Sequence, residues 1–416
     1  MGYSEICHAS ALICQKCCYP PGFNRCHEGV SMELYIHIPF CKRKCEYCSF
    51  ISFPPEKGQK DQYVTALLEE ARLRRDAFNE TVRTIFIGGG TPSLLEPEQL
   101  RKLVNGIHEI IPDISCEEFT IEANPCTLTR EYVEMAVQLG INRFSLGMQA
   151  CQEKLLNTLG RIHLFSDVIR AVELLTGNGI KNYNLDLIFG IPGQKAEDWD
   201  ETLDAALSLH PAHISAYGLI PEEGTPLVQH LKAGDYELPD QEEERKMYER
   251  ALHKLADHGF HQYEISNFAL DGFECKHNIG YWTQIPYIGL GLSAASMQIT
   301  NAGESGMKCI RWKNPDSMCE YFGMIQKKNM LSAEKEIVDE KGTRFETMML
   351  GLRMNKGVSE RSFFEKHGVS LEKCYGSKLS EMKEKGFLID ENGYWHLTRK
   401  GMDFQNVVLV ELMDDD

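Results

Sequence analysis

From Met32 onward the chain alternates between two periodicities. Short β-rich runs, Glu33 to Ile38, Thr84 to Ile87, Glu118 to Glu122, Asn142 to Leu146, Asn182 to Ile188 and Ala212 to Tyr217, are separated by stretches whose apolar residues recur three and four apart. Val64, Leu67, Leu68 and Ala71 fall at that helical spacing, as do Tyr132, Met135, Ala136 and Leu139, and then Val168, Ala171, Val172 and Leu175. Strand followed by helix, repeated through six strands, predicts an α/β chain with a parallel sheet and right-handed crossovers. Six units fall short of the closed eight-stranded form. The expectation is therefore an incomplete (β/α)6 barrel, with ligands at the carboxyl ends of its strands.

Past Pro221 the pattern changes. Gln241 to Asp257 reads as a charged helix whose Glu242/Lys246 pair marks a solvated face. From about Thr343 the chain reads helix, turn, helix. Gly386 to Ile389 and Tyr394 to Leu397 then flank Asn392-Gly393, a hairpin signal. Helices followed by a hairpin make a C-terminal α+β, winged-helix-like domain. The expected organisation is a cysteine-rich extension (residues 1–31), a partial barrel (32–235), a segment covering the barrel (236–342) and the winged-helix-like domain (343–416).

Charge narrows the function. Lys and Arg total 44 against 61 Asp and Glu, a net charge of -17, which opposes a broad electrostatic grip on nucleic acid or anionic lipid. The Asp414, Asp415 and Asp416 end makes a DNA-reading role for the winged-helix-like domain less fitting still. No run approaches the roughly eighteen apolar residues of a membrane span, and the start lacks the order of a secretory signal. A cytoplasmic location is expected. Fifteen cysteines in so long a chain fit reduced thiols and metal ligation better than a disulfide scaffold. Five of them, Cys7, Cys14, Cys17, Cys18 and Cys26, crowd the first 31 residues around a Pro20-Pro21-Gly22 break, which reads as an appendage, with Met32 as an alternative start.

The chemistry concentrates at strand ends. Tyr35-Ile-His-Ile-Pro-Phe-Cys41-Lys-Arg-Lys-Cys45-Glu-Tyr-Cys48 places three thiols within eight residues directly after the first strand. Three thiolates hold three irons of a [4Fe-4S] cubane and leave the fourth open to a chelating amine and carboxylate, such as those of S-adenosylmethionine (SAM). A structural zinc would need a fourth ligand nearby. After the next strand, Gly88-Gly89-Gly90-Thr91-Pro92 removes side chains, so that the backbone can approach a ligand and offer it N–H and C=O groups. Glu122, Gln149 and Asp186 then stand at the ends of three successive strands, where a carboxylate among apolar residues is costly unless paired.

With these landmarks the chain resembles the radical SAM family of oxygen-independent coproporphyrinogen III oxidase and its relatives, over residues 32–416. The likeness runs through Tyr35 to Cys48, Gly88 to Pro92, Glu122, Gln149, Arg161, Asp186 and Ile288-Gly-Leu-Gly-Leu-Ser-Ala. It implies a radical SAM barrel in which Cys41, Cys45 and Cys48 ligate the cluster and Tyr35, Gly89 and Glu122 contact the SAM bound to it. Tyr47, Gly90, Thr91, Gln149, Arg161 and Asp186 would line the rest of the cofactor cavity, some of them serving a second SAM in the oxidase. Two departures point away from the oxidase itself. Cys48 is followed by Ser49-Phe50 where the oxidase has a further cysteine, and Cys41 follows Met32 by nine positions where the oxidase has a long N-terminal arm.

Both departures suit the haem-chaperone branch of the family, and Cys275-Lys-His277-Asn278-Ile-Gly-Tyr281-Trp282 carries that branch's His-Asn-x-x-Tyr-Trp signature. A neutral imidazole is a good axial ligand for haem iron, and a Tyr-Trp pair can stack on a porphyrin. The resemblance thus implies a chaperone binding haem, a [4Fe-4S] cluster and SAM, with haem passed to an acceptor protein that the sequence does not name. The alternative is a radical SAM coproporphyrinogen III oxidase.

Overall fold

The computed structural model of the protein describes residues 31–301, 307–328 and 335–413. The expected cysteine-rich extension lies outside the described residues except for Ser31. Strands β1 (Ser31–Ile38), β2 (Thr81–Gly89), β3 (Ile114–Ala123), β4 (Arg143–Gln149), β5 (Tyr183–Phe189) and β6 (His213–Gly218) lie side by side in chain order, all parallel. Between them run α1 (Gln59–Leu73), α2 (Pro97–Ile110), α3 (Arg130–Gln138), α4 (Glu153–Thr158), α5 (Phe165–Gly177) and α6 (Ala196–Ser208).

The sheet extends at both edges beyond these six strands. After α7 (Pro226–Ala233) and α8 (Gln241–Asp257), the hairpin β7 (His261–Glu264) and β8 (Asn267–Ala269) adds antiparallel to β6. A short helix, α9 (Lys276–Thr283), leads to β9 (Tyr287–Leu290), which pairs in parallel with the free side of β1. Strands β10 (Ala295–Asn301), β11 (Met307–Lys313) and β12 (Lys335–Val338) continue that edge antiparallel, with α10 (Met318–Gln326) between the last two. The family landmark at Ile288 is thus a strand and its turn. Glu70 of α1, wholly buried, takes hydrogen bonds from Gly291 N, Arg74, Asn314 and Tyr321 at 2.7–2.9 Å and fixes that turn.

The final module comprises α11 (Glu340–Gly351), β13 (Val358–Ser359), α12 (Glu360–His367), α13 (Leu371–Glu384), β14 (Leu388–Glu391), β15 (Tyr394–Leu397), α14 (Arg399–Asp403) and α15 (Gln405–Leu412). It has its own core of Met348, Leu352, Phe363, Leu379, Trp395 and Leu397. Asn392 and Gly393, at φ 54° and 78°, make the expected hairpin turn, and β13 adds a third strand beside β15. No helix among the described residues is long and apolar enough to cross a membrane.

Alternation along the barrel strands separates two environments. Leu34, Ile36, Ile85, Ile87, Phe144, Leu146, Leu185 and Leu187 are buried with the helices in one continuous core. The intervening residues make a polar interior: Glu33, Tyr35 and His37 from β1, Thr84 from β2, Glu118, Thr120 and Glu122 from β3, Arg143 and Ser145 from β4, Asn184 and Asp186 from β5, and His213 and Ser215 from β6. So polar an interior stands only if its groups bond one another or a ligand.

Candidate functional site

The cysteine loop leaves β1 and returns at once. Phe53 N donates to Pro39 O at 2.9 Å and Cys41 N to Phe53 O at 3.0 Å, pinching residues 39–53 into a closed lobe at the carboxyl end of the sheet. Glu46 anchors the lobe's tip, its N–H donating to Leu159 O at 3.0 Å and its carbonyl accepting from Leu227 N at 2.9 Å. Cys41, Cys45 and Cys48 are all free thiols, half-buried, and all border one cavity of about 490 Å³. Among the described residues no three His, Cys, Asp or Glu side chains converge tightly enough for a single metal ion. Thr91 Oγ1 lies 3.4 Å from Cys41 Sγ, and Arg161 Nη1 donates to Cys45 Sγ at 3.5 Å, so polar groups already face two of the sulfurs. Burial pushes the Cys48 thiol up.

The glycine loop serves packing as much as ligand access. Gly89 sits at φ 112° with a Cβ position 2.5 Å from the His37 ring, and a Cβ on Gly90 would lie 2.7 Å from Phe40 O. Any side chain here would push the loop off the cysteine lobe. Its N–H groups are already committed: Gly89 N to Glu122 Oε2 at 2.9 Å, Gly90 N to Ile38 O at 2.8 Å and Thr91 N to Phe40 O at 2.7 Å. The sequence led us to expect both N–H and C=O groups to be offered to a ligand. What the loop offers a ligand is its lack of bulk.

Deeper in the cavity, burial and then the neighbouring Asp186 raise the Glu122 carboxyl to about 8, against the pull of the Gly89 N–H. Asp186 is also raised by burial, although Asn184, Ser145 and Ser215 oppose the shift by hydrogen bonding. Ser145 Oγ donates to Asp186 at 3.1 Å and Asn184 Nδ2 at 2.8 Å. Gln149 has a positive φ of 66° at the end of β4, a strained backbone held where its side chain meets the cavity. Arg161 Nη2 donates to Gly147 O at 2.8 Å, which locks the guanidinium between the lobe and the β4 end.

Tyr47, Gly89, Gly90, Thr91, Glu122, Gln149, Arg161 and Asp186 thus border the same cavity as the three cysteines. Tyr35 does not line it: its hydroxyl bonds His37 Nδ1 at 3.0 Å on the same strand. Lining residues that sequence reasoning missed include Asn124, Ser145, Ile162, Tyr217 and Ile220. Ser145 and Tyr217 share the strand-end alternation that revealed Asp186 and could have been found by it. Exposed Phe50, Ile162 and Ile220 give the mouth an apolar rim, with Lys42 and Arg43 beside it.

The His277 segment lies elsewhere. Helix α9 closes the amino-terminal end of the barrel. Its first turn donates into Glu118, Lys276 N to Oε2 at 2.9 Å and His277 N to Oε1 at 3.1 Å. His277, 1% exposed, has both ring nitrogens engaged: Nδ1 with Thr84 Oγ1 at 2.7 Å and Nε2 with Tyr281 OH at 2.9 Å. Its ring stacks on Phe86 at a centroid distance of 5.2 Å. Burial, reinforced by the Arg143 charge, lowers the imidazole to about 3, so it is neutral. Burial raises the adjacent Glu33 to about 9, so the 3.8 Å approach of Glu33 to His277 is a contact of neutral groups, not an ion pair. Gly280 leaves room for the Glu33 carboxyl where any Cβ would collide with it. Trp282 sits under the Arg353 guanidinium, 4.5 Å from its ring centroid, and Asn278 is half-buried. The structure therefore does not bring His277, Asn278, Tyr281 and Trp282 to the cysteine cavity.

Comparison with known proteins agrees with this architecture. Residues 35–206 match the model of the Radical SAM superfamily, and residues 338–404 match that of the HemN C-terminal domain. The haem chaperone HemW of Bacillus subtilis (strain 168) is 38% identical over 370 residues, covering 88% of this chain and 95% of its own. The haem chaperone HemW of Escherichia coli (strain K12) is 33% identical over 383 residues, 91% of this chain and 97% of its own. Among solved structures, coproporphyrinogen III oxidase (HemN) from Escherichia coli matches at a TM-score of 0.79 across 92% of this chain and 90% of its own, at 19% identity, a likeness of fold. On these grounds the chain belongs to the radical SAM superfamily and, within the oxygen-independent coproporphyrinogen III oxidase family, to the HemW branch.

Proposed function

We propose that this protein is a cytoplasmic haem chaperone that holds a [4Fe-4S] cluster and SAM in the cysteine cavity, binds haem through the His277 segment and passes it to an acceptor protein. The observation that carries the cofactor half is the convergence of three free thiols with Glu122 and Asp186 on one cavity. When bound, a four-iron cluster supplies one-electron chemistry. The chain's own part is to fix the thiols through the pinched lobe, to hold a donor from Arg161 on Cys45, and to keep two buried carboxyls facing the space a cationic ligand would fill. The haem half rests on the signature residues His277, Asn278, Tyr281 and Trp282 and on relatives that are named haem chaperones.

Because Glu122 sits near 8 until a cation arrives, SAM affinity is expected to be proton-linked. A cationic ligand favours the ionised carboxyl, so below pH 8 the affinity should fall by roughly tenfold per pH unit and above it level off. Equilibrium dialysis from pH 6.5 to 9 on the cluster-reconstituted protein measures this. Glu122→Gln should bind weakly with a flat profile, whereas a flat wild-type profile would remove Glu122 from the SAM site.

The haem half is tested by anaerobic titration of the reconstituted chain, followed by the haem absorbance bands, beside His277→Ala. Saturable one-to-one binding that the variant loses is the expected result. Equal binding by both chains, or by neither, would discard the His277 role and make turnover of coproporphyrinogen the next measurement.

A further inference from the structure

Taking that haem reading as its premise, we infer that α9 is a removable floor of the barrel and that the C-terminal module is the latch holding it shut. With both ring nitrogens bonded and the ring stacked on Phe86, His277 reaches no iron unless α9 moves. The partners of its two nitrogens differ in kind. Thr84 belongs to the barrel, while Tyr281 belongs to α9 itself, one turn further on. Lifting α9 breaks the first bond, the stack and the Glu118 bonds of the first turn, keeps the second, and delivers an imidazole with Nδ1 free.

On the barrel side Glu118 holds the first turn of α9, and on the other side the last turn is held from beyond residue 340. Gln284, the left-handed cap of α9 at φ 59°, accepts at Oε1 from Thr347 Oγ1 at 2.6 Å and from Lys366 Nζ at 2.5 Å. Arg353 lies over the Trp282 ring and reaches Glu264 at 3.5 Å. Trp282 Nε1, Arg353 Nε and His367 Nδ1 at this seam bond no protein atom. A contact built from a few side-chain bonds and one cation–π pair opens more readily than the barrel ladder beside it.

The test compares Arg353→Leu and the milder Thr347→Val with the wild-type, cluster-reconstituted full chain. Hydrogen exchange of residues 276–284 is measured, with β1 and β2 amides as the internal control of folding. Stopped-flow haem uptake is recorded on the same samples. The expected result is α9 exchange and haem association both faster by roughly tenfold in Arg353→Leu, equivalent to about 1.4 kcal/mol of lost latch, with the final haem stoichiometry unchanged. Unchanged α9 exchange in both variants would overturn the latch. Faster exchange with unchanged association, in a wild type whose binding His277→Ala abolishes, would overturn the gate and leave the haem site standing. A wild type that takes up no haem would overturn the function proposed above, and this inference with it.

Discussion

A Cys45→Ser chain is expected to reconstitute with iron at background level and without the broad visible absorbance of a cluster, while keeping the fold. The hydroxyl of serine is a hard, weakly acidic donor and a poor substitute for thiolate on iron, and three protein ligands leave no spare to compensate. Cys45 is also the sulfur that Arg161 addresses at 3.5 Å, so its loss leaves the half-buried guanidinium held by Gly147 O. The lobe itself is held by main-chain bonds at Pro39, Phe53 and Glu46, none of which involves the thiol, so circular dichroism and melting should change little. Cys374→Ser, in the C-terminal module, is the control and should load normally. Wild-type iron content in Cys45→Ser would show that the triad is not the ligand set.

Glu118→Ala is expected to produce the largest loss of stability among single changes at the barrel floor. Glu118 is buried, accepts from the Lys276 and His277 N–H groups and from Cys275 Sγ, and offsets the charge of the buried Arg143. Truncation leaves two helix-end donors and a guanidinium uncompensated, a class of change that costs about 3–5 kcal/mol. That corresponds to a melting temperature lower by on the order of 10 °C. Glu118→Gln retains one acceptor oxygen and should lose noticeably less. Thermal denaturation of the three chains decides it, and an unchanged melting temperature in Glu118→Ala would mean that α9 is not anchored through this carboxylate.

The barrel and its upper face were legible in the sequence because local patterns encode them. A two-residue period marks each strand, a 3.6-residue period marks each helix, and a carboxylate such as Glu122 or Asp186 stands out in an apolar run because burying it is expensive. The floor was not legible in the same way. Nothing in the eight residues of α9 announces that they enter a barrel, and the partner that fixes them, Glu118, lies about 160 positions earlier in the chain. His277 could be read as a ligand-type residue but not as one whose two nitrogens are already taken, since Thr84 stands 193 positions away. The glycine loop was found for its freedom of approach, yet the bodies approaching it, Phe40 O and the His37 ring, come from another strand and its loop. Glu70 gave no signal at all: a glutamate inside an amphipathic helix looks solvated until Gly291, Asn314 and Tyr321 are placed around it.

The pairing of β9 beside β1 also sets a timetable for biosynthesis. β1 acquires its β2 neighbour early, but its other edge is covered only when Tyr287–Leu290 has been made, some 250 residues later. At ordinary translation speeds of about 5–20 residues per second, that edge stays open on the ribosome for roughly 10–50 s. An unpaired strand edge is a template for intermolecular pairing, so the nascent chain spends most of its synthesis in its most aggregation-prone form. The cysteine lobe, whose main-chain closure is complete by residue 53, is made long before α9 and the C-terminal module that follow it in the chain.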